Sequence, residues 1–318
     1  MSMPLLSKLK WSAALYVNPR GIGWNYQVKG IPEQRASDTR RGFFIQQFKE
    51  IAVVYLALDV LNIYTSRYYY KPGVDPLTLT IRADTWPRGI WNAYSGMANQ
   101  VLTTSYLHLQ IATFSVLLGG SQPKDWPPLY GSFTEAYTIR RYWNTFWHQI
   151  TRHMFVAYSR DLRAILHIRR GTWLSSYFDL YFTFTFSALF HGITMYAMPY
   201  GPNHSFNLRF MMWFHFMFWQ APAIQFEDLV IWCYKRIVGT TEGKVLNEEQ
   251  QRQRRSETNV RTWHRIVGYI WVFGWWYYIL PWPVDTVLRF EIAKASPLPF
   301  SVLNPVLTWA ENITSSSG

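Results

Sequence analysis

One cysteine, Cys233, stands in 318 residues, which excludes an internal disulfide and any cysteine-based zinc site. Charge is scarce too. Asp, Glu, Lys and Arg together make 16% of the chain, and none of them occurs in residues 89–123, 180–208, 210–226 or 266–284. Each of these runs reaches or approaches the roughly 20 residues that a helix needs to cross a hydrocarbon core. Several catalytic patterns are missing. No Gly-x-Ser-x-Gly turn presents a serine nucleophile. The histidines do not repeat at helical spacing, as they would where histidines hold two irons: His148 and His153 are five apart, and His108, His167, His204, His215 and His264 are scattered. No metal is therefore expected. The first 17 residues carry Lys8 and Lys10 in a modest apolar stretch, with no long hydrophobic run before a small-residue cleavage site, so no cleaved signal peptide is expected. Gly21 and Gly23 flank Ile22 as in part of a phosphate loop, but no alternating strand precedes them.

What is abundant is aromatic. Trp, Tyr and Phe make 19% of the chain and 49% is apolar, a composition that suits a membrane better than water. The near-zero mean hydropathy does not contradict this, because hydropathy scales score Tyr and Trp as neutral or polar although both settle at membrane interfaces. The pattern predicts an all-α, polytopic integral membrane protein of about five or six spans with interfacial amphipathic helices. Spans are expected at residues 43–64, interrupted by Lys49, Glu50 and Asp59, then at 93–118, 173–198, 206–232 with a break at Pro222, and 264–282. Gly119-Gly120, followed by Pro123, Pro127 and Pro128, closes the second.

The net charge of +12 follows the loops. Basic residues crowd 8–41, 140–170 and 235–265, which the positive-inside rule places together on the cytosolic side. A nucleic-acid partner is not expected, since no basic face falls on a soluble module. Residues 1–318 read as one membrane-embedded domain, with 1–42 a cytosolic N-terminal segment and 235–265 a charged cytosolic loop, helix-prone over 248–255.

Two stretches carry chemistry. Wound as a helix, Arg140-Arg141-Tyr142-Trp143-Asn144-Thr145-Phe146-Trp147-His148-Gln149 sets Arg141, Asn144, His148 and Arg152 on one face, with Trp143, Trp147, Ile150 and Met154 beside them. Such a helix can lie at a membrane surface and turn a polar row toward a cavity. In the third span, Thr183, Ser187, His191 and Thr194 fall within an arc of about 80° at 3.6 residues per turn. An ionisable ring inside an apolar span is a functional candidate, although Ser and Thr also bond their own helix carbonyls and a lone histidine also serves as a packing residue. A buried imidazole would stay neutral and able to accept a proton.

Trp126-Pro127-Pro128, the run from Tyr137 through Gln149, and Ser187-Ala188-Leu189-Phe190-His191-Gly192 together resemble the wax-synthase-like branch of the membrane-bound O-acyltransferases. Arg20-Gly21-Ile22-Gly23-Trp24-Asn25 is similar to the fungal natural-product members. The resemblance covers residues 10–282, and departs at Asn144, where the family often has glycine, and in the spans that usually precede the Arg-Gly-Ile-Gly-Trp region. It implies acyl transfer from acyl-CoA, acetyl-CoA first, to a lipophilic terpenoid or polyketide-derived alcohol in the endoplasmic reticulum membrane. A long-chain alcohol giving a wax ester is the alternative, and a non-catalytic scaffold with the same fold is the reading from another class. His191 takes the family's catalytic histidine position and His148 the second polar position. Arg140, Arg141 and Arg152 are candidates for the CoA phosphates, with Trp143, Asn144, Trp147 and Ser187 lining the acyl-CoA site.

Overall fold

A computed structural model describes residues 4–32, 39–83, 85–199, 201–239 and 262–316, and every regular element among them is helical. After α1 (Leu5–Val17) and a Gly-punctuated loop come two long helices packed on each other, α2 (Arg40–Tyr68) and α3 (Trp86–Leu117). Thr39 caps α2 by accepting from the Gly42 N–H, and Pro87 opens α3 where a missing N–H is harmless. Gly119, at φ +74°, ends α3 as its sequence position predicts, because the left-handed turn there favours a residue without Cβ.

The second half is a bundle built around α6 (Trp173–Tyr196), which packs on α5 (Arg152–Ile165) and most extensively on α7 (Met212–Phe218). Then follow α8 (Gln220–Gly239), α9 (Thr262–Ile279), α10 (Pro281–Arg289) and α11 (Leu303–Ser316). The main core gathers Ile139, Tyr142, Ala188, Ile224, Trp276 and Ile279 from four separate stretches of chain. Asp59, which interrupts the first expected span, is buried on α2 and accepts from the backbone N–H groups of Val302 and Leu303 at 2.8 and 2.9 Å. A carboxylate in an apolar helix is thus matched to the unpaired donors at the start of α11.

The expected spans coincide with helices, with two differences. The break in the fourth falls at Trp219, between α7 and α8, and not at Pro222, which sits in the first turn of α8 where proline is tolerated. Among the described residues, moreover, no helix is long and apolar enough to cross a membrane. The reason is visible in the sequence, where α2 carries Lys49, Glu50 and Asp59, and α3 carries Asn92, Asn99, Gln100 and His108. Large apolar side chains are nonetheless exposed along whole faces: Ile111, Phe114 and Leu117 on α3, and Ile266 and Ile270 on α9. The helix expected over 248–255 lies outside the described residues.

Candidate functional site

The Trp/His stretch is not the single helix that its spacing predicts. A three-residue helix, α4 (Ile139–Arg141), runs into a π-helical turn at Tyr142–Phe146, and the chain leaves helical geometry at Trp147, with φ −63° and ψ 146°. Three features impose the break. Gly131 donates to the Phe146 carbonyl at 2.9 Å, and the two backbones lie so close that a Cβ on Gly131 would overlap the Thr145 carbonyl. Gln149, itself buried, turns its amide back to donate to the carbonyls of Trp143 and Trp147 at 2.9 and 2.6 Å. Side-chain donors have replaced the regular helical ladder, and π turns concentrate where function demands irregular geometry.

The start of this element is tied to α8. Thr138 accepts from the Arg141 N–H at 3.0 Å, while the Glu227 carboxylate accepts from the N–H groups of Ile139 at 2.5 Å and Arg140 at 3.0 Å, and from Trp271 Nε1 at 2.9 Å. Gln220, fully buried, accepts from the indoles of Trp143 and Trp275 at 3.2 Å each. Two polar side chains of α8 therefore fix where the tryptophan block sits.

Breaking the helix does not scatter the residues. A cavity of about 480 Å³ is lined by Arg140, Trp143, Asn144, Trp147, His148 and Arg152 from this stretch, and by Thr183, Ser187 and His191 of α6. His148 comes from the irregular link before α5 and His191 from the middle of α6, and the two are near enough to interact electrostatically. Burial is the larger influence on His148, followed by His191 and Arg20, and together they push its pKa down to about 4, so its ring is neutral near pH 7. Tyr130 and Trp147 pack on the His148 ring, with centroids 5.9 and 5.1 Å away.

Two expected members fall away. Arg141 points elsewhere: its guanidinium pairs with Glu135 and lies over the Tyr137 ring, because the π turn rotates it out of register with Asn144 and His148. Thr194 is exposed and bonds the Phe190 carbonyl of its own helix at 2.8 Å. Arg140 reaches the cavity with its guanidinium already engaged by Asp228, at 3.2 and 2.5 Å. Arg152 holds Gln149 Oε1 at 3.0 Å and is the less committed cation of the two.

Other wall residues were not singled out by the sequence. Trp213 of α7 stacks on His191, and Tyr69 and Trp276 also line the cavity. Among the described residues, Tyr69 Oη, His148 Nδ1, Trp213 Nε1 and Trp276 Nε1 are buried with no hydrogen-bond partner, and all four belong to this one wall. Two signals were available. Asp179 lies four residues before Thr183 on the His191 stripe, and Asn92, Ser95 and Asn99 repeat at helical spacing within a charge-free run. Nothing in the sequence distinguishes Trp213 or Trp276 from the other tryptophans. No group of three or more His, Cys, Asp or Glu among the described residues is placed to hold a metal ion.

His148 and His191 thus face one cavity from two separate elements, and the comparisons with known proteins bear on the segment that carries them. The model of the membrane bound O-acyl transferase family matches residues 126–217, the segment that carries both His148 and His191. The chain is similar to fungal acetyltransferases of natural-product type. It is 29% identical over 287 residues to the acetyltransferase TRI7 of Fusarium sporotrichioides, covering 84% of this chain and 61% of that protein. It is 27% identical over 283 residues to the acetyltransferase ple2 of Rhodocybe pseudopiperita, covering 87% and 66%. With the acetyltransferase ataH of Aspergillus terreus it shares 28% over 324 residues, covering 93% and 95%. The chain thus spans less than two thirds of the length of the first two relatives. No solved structure matches it.

Proposed function

We propose that the chain is an acyl-CoA-dependent O-acyltransferase seated in the endoplasmic reticulum membrane, with acetyl-CoA as the favoured donor and a lipophilic alcohol of fungal secondary metabolism as acceptor. One observation carries the reading: His148 and His191, from separate elements but both in the segment that matches the acyltransferase family, line a single cavity. The apolar faces of α3 and α9 support the bilayer, since contiguous exposed surface of that kind needs a cover.

The chemistry follows from the residues. An alcohol is a weak nucleophile at neutral pH, and a neutral imidazole within hydrogen-bond reach can take its proton as oxygen attacks the thioester carbon. His191, on the apolar helix, is that base. The C–S bond then breaks, and the imidazolium returns the proton to the departing thiolate, so ester and CoA–SH form with no net proton change at the enzyme. His148, held by Tyr130 and Trp147, orients the thioester or steadies the developing oxyanion. Arg152, with Arg140 behind it, supplies positive charge for the CoA phosphates. No step draws on a metal.

The test uses microsomes containing the full chain, an acyl-CoA series and a panel of lipophilic alcohols, with free CoA and ester as readouts. General base catalysis contributes about 10²–10⁴-fold, so His191→Ala should lose at least about 10²-fold in turnover at unchanged abundance. Wild-type turnover in a well-accumulated His191→Ala protein would make His191 a packing residue. Ester formation abolished by chelators would point to metal chemistry instead. A longest-chain acyl preference with alkanols would favour the wax ester reading.

A further inference from the structure

The segment Arg20-Gly21-Ile22-Gly23-Trp24-Asn25 has no part in the mechanism above, yet its first residue is a cation buried against the site. Arg20 is 5% exposed, and its guanidinium donates to two consecutive carbonyls, from Nη1 to Pro128 and from Nη2 to Pro127, at 2.9 Å each. Pro127 and Pro128 carry no N–H and stand outside any helix, so their carbonyls have no ladder partner, and the planar fork of arginine fits two neighbouring acceptors. A guanidinium taken out of water without such acceptors would be strongly unfavourable.

The loop is built to deliver this side chain. Asn18 accepts from the Ile22 N–H at 2.9 Å and donates to the Ile22 carbonyl at 2.8 Å, and the Val28 N–H closes on the Arg20 carbonyl at 3.0 Å. Gly21 sits at φ +65°, and a Cβ there would meet the Tyr26 ring at 2.7 Å, so only glycine fits. On the other side, the segment that Arg20 holds leads directly into the site. Trp126, just before the two prolines, donates from Nε1 to Ser121 Oγ at 2.7 Å. Tyr130, two residues beyond Pro128, shares a hydrogen bond of 2.5 Å with Thr104 Oγ1 and lays its ring against Phe146, Trp147 and His148, with centroids 5.6, 5.4 and 5.9 Å away. Gly131 follows, and its N–H donates to the Phe146 carbonyl.

Building on the acyltransferase reading, we propose that Arg20 is a positioning residue for acyl transfer: its two hydrogen bonds to the Pro127 and Pro128 carbonyls fix the 126–131 segment, and through Tyr130 and Gly131 that segment holds the His148 ring at the cavity. The role needs the fork and not only the charge, since a lysine ammonium does not reproduce two parallel bonds of fixed geometry.

The experiment compares wild type, Arg20→Lys, Tyr130→Leu and the double variant as full chains in microsomes, with acetyl-CoA and an accepted lipophilic alcohol. Arg20→Lys should lose about tenfold in kcat, with KM for both substrates within about twofold, because a displaced orienting group costs turnover more than binding. In the Tyr130→Leu background the same substitution should cost less than about threefold, because the two residues act along one path. Losses that simply multiply, or wild-type kcat in Arg20→Lys at normal abundance, overturn the assignment. A second readout needs no turnover: the rate at which diethyl pyrocarbonate modifies His148 in the detergent-solubilised protein, followed by mass spectrometry. Arg20→Lys should raise that rate by about threefold or more, while the exposed His167 and the loop residue His204, packed on Phe290 at 4.7 Å, keep their wild-type rates. An unchanged His148 rate overturns the proposal, as does equal acceleration at His204, which would make Arg20 a general stabiliser of the fold. Where Arg20→Lys fails to accumulate, Asn18→Ala takes its place, loosening the loop while keeping the guanidinium, and wild-type values of both readouts there overturn the proposal. Absence of acyl transfer to every alcohol by wild type, alongside selective exposure of His148 in Arg20→Lys, would sink the enzymatic reading and leave the hold on His148 standing.

Discussion

Trp213 lies flat against His191, ring centroids 5.3 Å apart and planes 23° from parallel. The imidazole of the proposed base therefore has one face covered by an aromatic surface carried on a different helix, α7. Stacking of this kind restricts rotation about the last side-chain bond of the histidine, and the negative face of an indole steadies the imidazolium that forms during proton transfer.

That contact separates two substitutions. Trp213→Phe keeps a ring against His191 and removes the unpartnered N–H, whereas Trp213→Leu removes both. Misplacing a reacting group by an ångström can cost about 10²-fold, so Trp213→Leu should lose turnover on that order with KM much less affected, and Trp213→Phe should recover a large part of it. Kinetics normalised to protein abundance make the comparison. Equal losses in the two variants would assign the role to the N–H and not to the stack.

The pairing of Trp213 with His191 also shows what the sequence could and could not reveal. His191 stood out because an imidazole in a charge-free helix is unusual, and helical periodicity alone placed Thr183 and Ser187 beside it on the cavity wall. His148 was legible through the family resemblance, but its geometry was not. Periodicity assumes an uninterrupted helix, and the π turn depends on the Gly131 N–H, which comes from a preceding loop, and on the Gln149 amide, which turns back on the carbonyls of Trp143 and Trp147. Arg141 left the site for that reason. The helices at the five charge-free or nearly charge-free stretches were readable from composition, because each is long and mostly apolar. The contact of one Trp with one His between α6 and α7 depends on packing, to which a chain with 17 tryptophans gives no local clue.

Glu227 supports the site from behind. Its carboxylate is buried and holds two backbone N–H groups of α4 as well as the Trp271 indole. Glu227→Ala leaves these donors unpaired, and each such loss costs about 1–3 kcal/mol, so the variant should show a clearly lowered melting temperature in detergent. Glu227→Gln keeps an acceptor oxygen and should fall between wild type and Ala. A Glu227→Ala protein that melts with wild type would mean that the capping bonds contribute nothing to the fold.

Gly131 is where the preceding loop touches the π turn backbone to backbone. Any Cβ there meets the Thr145 carbonyl, and because both partners are main chain neither can swing aside. Gly131→Ala should displace the Tyr142–Phe146 turn and with it Trp147 and His148. The expected result is a loss of activity of about 10-fold or more at near-normal abundance, with Gly73→Ala, an open-loop glycine of positive φ with nothing near its Cβ, as a control for backbone strain alone. Full activity in Gly131→Ala would show that the turn is not needed to place His148.

His148 makes a prediction about acid. Its pKa is about 4 in the folded chain against 6.5 for an ordinary imidazole. Between these values the unfolded chain binds a proton that the folded site refuses, so acidification through that window favours unfolding, and below about 4 the effect levels off. Above about pH 7 both states are neutral at this position and the group adds no pH dependence. His148→Gln keeps hydrogen-bonding capacity without titrating, and the difference between wild type and this variant cancels the carboxylates that titrate in the same range. Melting curves in detergent should therefore show wild type losing ground to His148→Gln by a few degrees as the pH falls from 6.5 to 4, with a constant difference above that. The opposite trend, wild type gaining on the variant in acid, would mean that the folded site attracts the proton. His148 would then be an imidazolium ready to donate to a developing oxyanion, and not the neutral ring that burial beside His191 and Arg20 implies.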